Sequence, residues 1–163
     1  YKNEVILFEM NRENNITNLL NNVKYQKYKV GKYFQFKVYE PKERIINALP
    51  YIDRIVHQWY VEEFIKPYFV PKFIYTSFAC LDNKGTHKAV DTVQKQLCSC
   101  KRNYGDFWIL KCDIKKFFYN IDPKILFKIM SRSISDKKLL SFTHLLLFNG
   151  RFSDVGIPIR QLY

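Results

Sequence analysis

The sequence predicts an α+β fold, on three observations. Phe34-Gln35-Phe36-Lys37-Val38-Tyr39 alternates apolar and polar residues with period 2, and Arg44-Ile45-Ile46-Asn47-Ala48-Leu49 returns after Glu40-Pro41-Lys42-Glu43, a turn-like stretch. Several longer stretches carry apolar residues at helical spacing behind helix-start residues. Only one further run, Phe107 to Asp113, reads as a strand, so the order is helix, hairpin, helices, strand, helices. That order lacks the βαβ alternation of a doubly wound sheet.

Along the chain, Asn3 to Asn22 has helical spacing through Ile6, Met10, Ile16, Leu19 and Leu20, with Gly31 beyond as a stop. Asn11 to Asn15 is poor in helix propensity and is expected to break this helix in two. The hairpin follows and ends at Pro50. Asp53 to Ile65 reads as a helix that Pro67 stops. Pro71 to Leu81 is aromatic and irregular, and a helix capped by Thr86 runs to about Leu97. Lys101 to Asp106 is a polar connection, giving an expected division into 1–104 and 105–163. Phe107-Trp108-Ile109-Leu110-Lys111-Cys112-Asp113 is expected as a buried strand ending in a carboxylate, with Cys112 turned into the core. Asp122-Pro123 opens a helix carrying Ile125, Leu126 and Ile129. Ser135 caps a last one through Leu147, closed by Asn149-Gly150.

Composition narrows the function classes. In 163 residues, 47% are hydrophobic, enough for a core and against wholesale disorder. The most apolar stretch, Leu145 to Phe148, is far shorter than a membrane span. The chain opens on Tyr1-Lys2-Asn3-Glu4 without a secretory signal or an initiator Met, and it reads as an excerpt of a longer, cytoplasmic protein. Lys and Arg number 27 against 15 Asp and Glu, a net charge of +12. Such a surplus suits a polyanionic partner, because each cation that meets a phosphate releases condensed counterions; a generic solvated basic surface is the bland alternative. Cys98-Ser-Cys100 is too closely spaced for a zinc pair, and Cys80 and Cys112 add no second one. His57 and His87 are read as structural or as nucleic-acid contacts.

The stretch from Lys111 to Asp122 bears most directly on chemistry. It places Asp113 at the end of an apolar run, followed by two cations and the pair Phe117-Phe118. A carboxylate in such a place needs a partner, and a hard oxygen ligand beside a basic groove suits Mg²⁺ bridging to nucleotide phosphates. Capping of the next turn, or pairing with Lys115, accounts for Asp113 equally well.

Asp113-Ile-Lys-Lys-Phe-Phe-Tyr-Asn-Ile-Asp122 resembles the first metal-binding block of reverse transcriptases, Asp-Ile-x-x-Phe-Phe-x-x-Ile. Three further stretches resemble blocks of the same family in the same order: Glu40 to His57; Phe73 to Cys80 with Lys84 to Ala89; and Gly156-Ile-Pro-Ile159. Together they span about Tyr33 to Ile159. The resemblance is to the enzymes of bacterial retroelements, meaning diversity-generating elements, group II introns and retrons. It implies right-hand polymerase fingers over 1–104 and the first part of a palm, incomplete, over 105–163.

The implied activity is RNA-directed DNA polymerisation, with an RNA template, a DNA primer and dNTPs as partners, two Mg²⁺ ions as cofactor, and a retroelement RNA or accessory protein as further partner. On the same resemblance, Asp113 and the carbonyl of Ile114 hold metal. Phe118 is the gate that rejects a ribose 2′-hydroxyl, with Phe117 its rival and plain core packing the alternative for both. Arg44 meets the triphosphate, and Lys37, seven positions earlier, is its partner cation. A hairpin with a four-residue turn is expected to bring positions 37 and 44 near each other across the strands, a solvated strand face being the alternative. Lys42, Lys84, His87 and Lys88 are candidate nucleic-acid contacts.

The pattern departs from the family twice. The second metal block, an aromatic residue followed at one remove by two aspartates, is absent, and Asp136 and Asp154 do not fit it. Arg160 stands where the family has glycine. One carboxylate does not position two metal ions, so the chain is expected to be inactive alone. Two rival readings follow, a non-catalytic RNA-binding module derived from such an enzyme and an RNA-making polymerase or primase palm. Phe118 speaks against the second, since a large aromatic gate disfavours ribonucleotides.

Overall fold

The structure is a computed structural model that describes residues 2–39, 43–149 and 156, with the side chains of Lys2 and Arg44 left out. It is mixed α+β, mainly helical with one small sheet among the described residues. The chain divides into two compact units, Tyr1–Tyr60 with Lys115–Tyr163, and Val61–Ile114.

In the first unit, α1 (Lys2–Met10) and α2 (Arg12–Lys24) are separate helices. The break falls at Asn11, at the head of the Asn-rich stretch that predicts it. Asn side chains there compete for backbone and for each other. The Asn15 side-chain amide donates to the Phe8 carbonyl at 2.9 Å, and that of Asn14 to Asn11 Oδ1 at 2.8 Å. The expected apolar stripe does not face a core, since Ile6, Met10, Ile16 and Leu20 are exposed and Phe8 is the buried anchor. Phe8 packs edge-on against Tyr51 with centroids 5.3 Å apart. Gly31 is not the stop either; α2 ends at Lys24, and Gln26 makes the reversal with a φ of 57°.

Strands β1 (Phe34–Tyr39) and β2 (Glu43–Ala48) form the expected antiparallel hairpin. Helix α3 (Tyr51–Tyr60) is amphipathic and buries Asp53, Val56, His57 and Tyr60. After the four-residue α6 (Phe117–Asn120), helix α7 (Pro123–Ser131) starts as expected, with the Asp122 carboxylate accepting from the Lys124 N–H at 2.7 Å. Helix α8 (Lys137–Phe148) is capped by Asp136 rather than Ser135, the carboxylate accepting from the Leu139 N–H at 2.7 Å. A carboxylate is the better acceptor at a helix N-terminus, where it also meets the helix dipole. Gly150, the expected terminator, lies outside the described residues. The core gathers Tyr28, Tyr33, Ile46, Leu49, Val56, Tyr60, Met130 and Leu146. Phe142 links three of its parts, meeting Tyr28, Trp59 and Tyr60 at centroid distances of 6.2, 6.3 and 5.8 Å.

In the second unit the chain runs through a π-helical turn (Val61–Ile65), α4 (Lys66–Phe69) and a 3₁₀ turn (Val70–Lys72). Pro67 therefore does not end the helical path. It sits in the first turn of α4, where its missing N–H leaves no hydrogen bond unmade. Helix α5 (Thr86–Tyr104) is longer than expected and absorbs most of the supposed connection. Its cap is Gly85, with a φ of 95°, and not Thr86.

The clearest correction concerns residues 107–114. They form no strand and are not buried: Trp108 is fully exposed, Leu110 is 86% exposed, and Cys112 and Asp113 are exposed too. A strand needs a neighbour to take up its N–H and C=O groups and to cover its apolar faces. Among the described residues the only sheet is the β1–β2 pair, which supplies none.

Candidate functional site

The residues that the resemblance singles out fall in both units. In the first, α6 carries Phe118. Lys116 enters it with a φ of 52°, and the Asn120 side-chain amide donates back to the carbonyls of Lys115 and Lys116 at 3.1 and 3.2 Å. This closes the Lys-Lys-Phe-Phe-Tyr-Asn stretch into one tight turn. Phe117 and Phe118 meet edge-on, 5.5 Å between centroids, and both rings are about half exposed. Neither is packed away as core.

Gly156 lies directly against this turn. Its N–H donates to the Ile121 carbonyl at 2.8 Å. A Cβ added there would stand 2.9 Å from the Tyr119 carbonyl oxygen and 3.3 Å from that of Phe118, and Gly156 has a φ of 91°. Only glycine combines that φ with so close a backbone approach. Gly156, more than thirty residues further along the sequence, thus meets the Phe-Phe turn backbone to backbone. Ile157, Pro158, Ile159 and Arg160 lie outside the described residues, as does Asp154.

The hairpin brings positions 37 and 44 to adjacent places on its two strands, as expected, but not to one face. The register pairs Lys37 with Ile45 and Arg44 with Val38, so positions 37 and 44 lie on opposite faces of the ribbon. Strand β2 begins at Glu43, one residue earlier than expected, and a one-residue change of register exchanges faces. Lys37 is more than half exposed and pairs with Glu43 at 2.6 Å, the solvated strand face of the plainer reading. The Arg44 side chain and all of Lys42 lie outside the described residues.

In the second unit, Asp113 and Ile114 are exposed in the extended segment. Asp113 caps no helix and enters no ion pair among the described residues. Lys84, His87 and Lys88 cluster around the start of α5. The Lys84 ammonium donates to the Tyr75 carbonyl at 2.7 Å and lies over the Tyr75 and Phe78 rings, while that of Lys88 donates to the Asn83 carbonyl at 3.1 Å. Lys84 thus closes the 73–85 loop on itself and Lys88 ties that loop to α5, and both keep further N–H donors for an anion.

No family model matches the chain. It is similar to Protein YkfC of Escherichia coli (strain K12). The two are 26% identical over 125 residues, 74% of this chain and 32% of that protein. The chain thus spans about a third of the length of the curated relative it matches. This likeness assigns it to no family.

Asp113 and the Ile114 carbonyl are hard oxygen donors, the type that Mg²⁺ takes, but their number falls short. No three His, Cys, Asp or Glu side chains come together as a metal site among the described residues. The ligand set is therefore partial. Sequence reasoning overlooked Asp53, the carboxylate with the most closely defined surroundings. It is 4% exposed and accepts from the Tyr28 hydroxyl and, at 2.9 Å, from the Gly31 N–H. Its position on the inner face of an amphipathic helix was the available signal.

Proposed function

We propose that this chain is the fingers and first part of the palm of an RNA-directed DNA polymerase of the bacterial retroelement kind. The observation that carries the reading is the contact of Gly156 with the Phe118–Tyr119 backbone, because it joins two blocks that the resemblance assigns to one nucleotide site. In that site the half-exposed Phe118 ring takes the sugar of the incoming nucleotide, and its bulk leaves no room for a 2′-hydroxyl. Arg44 takes the triphosphate from the hairpin. Lys37, on the other face, serves the template backbone rather than the same phosphates. On the resemblance, Asp113 and the Ile114 carbonyl would be two of the ligands for Mg²⁺, whose chemistry there would be activation of the primer 3′-hydroxyl and offsetting of charge on the leaving pyrophosphate. The remaining carboxylates belong to a longer protein.

Primer extension tests this. With an RNA template, a DNA primer and dNTPs, the longer protein extends the primer and the 163-residue chain does not. A longer protein that binds primer-template and Mg²⁺ yet never extends overturns the reading. In an active enzyme, Phe118→Ala admits ribonucleotides; unchanged sugar selectivity removes the gate role from Phe118.

One observation favours a second reading, a non-catalytic RNA-binding module derived from such an enzyme. Asp113 belongs to no group of three or more His, Cys, Asp or Glu side chains among the described residues. An aromatic-x-Asp-Asp block in the longer sequence decides for the enzyme, and its loss decides for the binder.

A further inference from the structure

The segment between α2 and β1 carries features that the polymerase reading does not use. Residues 27–33 form an irregular connection without helix or strand, with Tyr28 and Tyr33 buried and Lys27, Lys29 and Lys32 exposed. Asp53 pins the middle of the segment from beneath through the Tyr28 hydroxyl and the Gly31 N–H. At Gly31 an added Cβ would stand 2.7 Å from Asp53 Oδ2 and 3.0 Å from Pro50 Cγ, so the backbone lies directly on its anchor. The lysines therefore project from a fixed backbone rather than a free loop.

An open groove of about 840 Å³ lies between this segment and the end of α8, with Lys27, Lys29 and Lys32 on one side and Phe148 and Asn149 on the other. A second groove of about 230 Å³ shares Gln26, Tyr28, Leu145 and Asn149 with it and adds Lys138 and His144. His144 stacks on Phe148, with ring centroids 4.4 Å apart and planes inclined by 27°. No Asp or Glu lines either groove among the described residues, and the three lysines enter no ion pair among them.

We infer that this groove binds a segment of single-stranded RNA, with Lys27, Lys29 and Lys32 on successive phosphates and the exposed His144 ring as a platform for a base. Cations along a groove with an aromatic surface beside them are the chemistry of single-strand binding, in which backbone charge and base stacking both contribute. The amides of Gln26 and Asn149 offer donors and acceptors to a 2′-hydroxyl. A concave groove suits a strand better than a flat anionic bilayer. The inference stands on the first unit alone and needs neither metal nor nucleotide.

Fluorescence anisotropy of the full chain with a labelled ten-nucleotide oligouridine tests it, in buffer without Mg²⁺ or dNTPs, at salt from 50 to 200 mM. The triple variant Lys27→Ala, Lys29→Ala, Lys32→Ala weakens binding roughly tenfold or more at low salt and lowers the slope of log K against log salt by about 2. A reference triple of exposed lysines elsewhere, Lys95→Ala, Lys124→Ala, Lys128→Ala, has a clearly smaller effect. His144→Ala weakens binding about fivefold or more without changing the slope, as loss of one stacked base does. Circular dichroism confirms that each variant is folded. Equal losses in the two triples overturn the inference, because they indicate a diffuse basic surface. Equal affinity for oligodeoxyuridine, or preference for phosphatidylserine vesicles, overturns the assignment to RNA. Failure of primer extension leaves this result standing, so the two readings fail separately.

Discussion

Gly31 has no room for a side chain, because the Asp53 carboxylate and the Pro50 ring both stand within 3.0 Å of where a Cβ would lie. The shortest relief for an added methyl is to move Asp53, whose oxygens hold the Tyr28 hydroxyl and the Gly31 N–H. Gly31→Ala is therefore expected to destabilise the first unit by roughly 1–3 kcal/mol, as overpacking at a fixed backbone does, read by urea denaturation. A loss within a few tenths of a kcal/mol would show that the segment shifts at little cost. The sequence shows Gly31 but not its purpose, because the partner lies 22 residues downstream and local pattern reading sees only a helix stop. Gly156 was legible for the opposite reason: a Gly-x-Pro stretch has few alternatives. Its contact with the Phe118 and Tyr119 backbone still required the fold.

At the scale of elements, α3 and α8 are joined by one buried hydrogen bond. The Thr143 hydroxyl donates to the Leu139 carbonyl at 2.7 Å, and the Tyr60 hydroxyl lies 2.6 Å from Thr143 Oγ1. Tyr60→Phe removes this link and leaves the 1%-exposed Thr143 short of a partner, at a cost of about 1 kcal/mol. Burial pushes the Tyr60 phenol above its ordinary value of 10.0, and the Thr143 hydrogen bond offsets part of that rise. The folded state thus resists losing the proton. Its contribution is complete below the ordinary value and is lost as pH rises through the raised one. Stability of the unmodified chain should fall more steeply above pH 10 than that of Tyr60→Phe; identical alkaline profiles would remove Tyr60 as the cause.

Elements with strong local signals were legible: the Asn break, the alternating hairpin and the Asp122-Pro123 start. Thr86 and Ser135 each missed the cap by one residue, because a flanking Gly85 or Asp136 serves better. The apolar run 107–113 misled because burial of a strand is decided by its neighbours, which are distant in sequence.

At the scale of the molecule the two units differ in how they are held. All the buried side chains among the described residues belong to the first unit, and none lies in Val61–Ile114. Helix α5 buries no residue over 19 positions, so little beyond its own propensity supports it. Hydrogen exchange followed by mass spectrometry should find the α5 amides exchanging well before those of α3 and α8. Equal protection would mean that the second unit is stabilised by contacts beyond its own side-chain burial.

The division between the units also separates the candidate chemistry, with Asp113 in one and Phe118 in the other. The central claim, that Asp113 belongs to a polymerase site, is tested most directly by Asp113→Asn in the longer protein. Primer extension and RNA affinity are measured side by side. The account predicts loss of extension by several orders of magnitude with RNA affinity unchanged within about twofold, since a metal ligand acts on the chemical step. Full extension by the variant, or a parallel loss of RNA binding and extension, would contradict it.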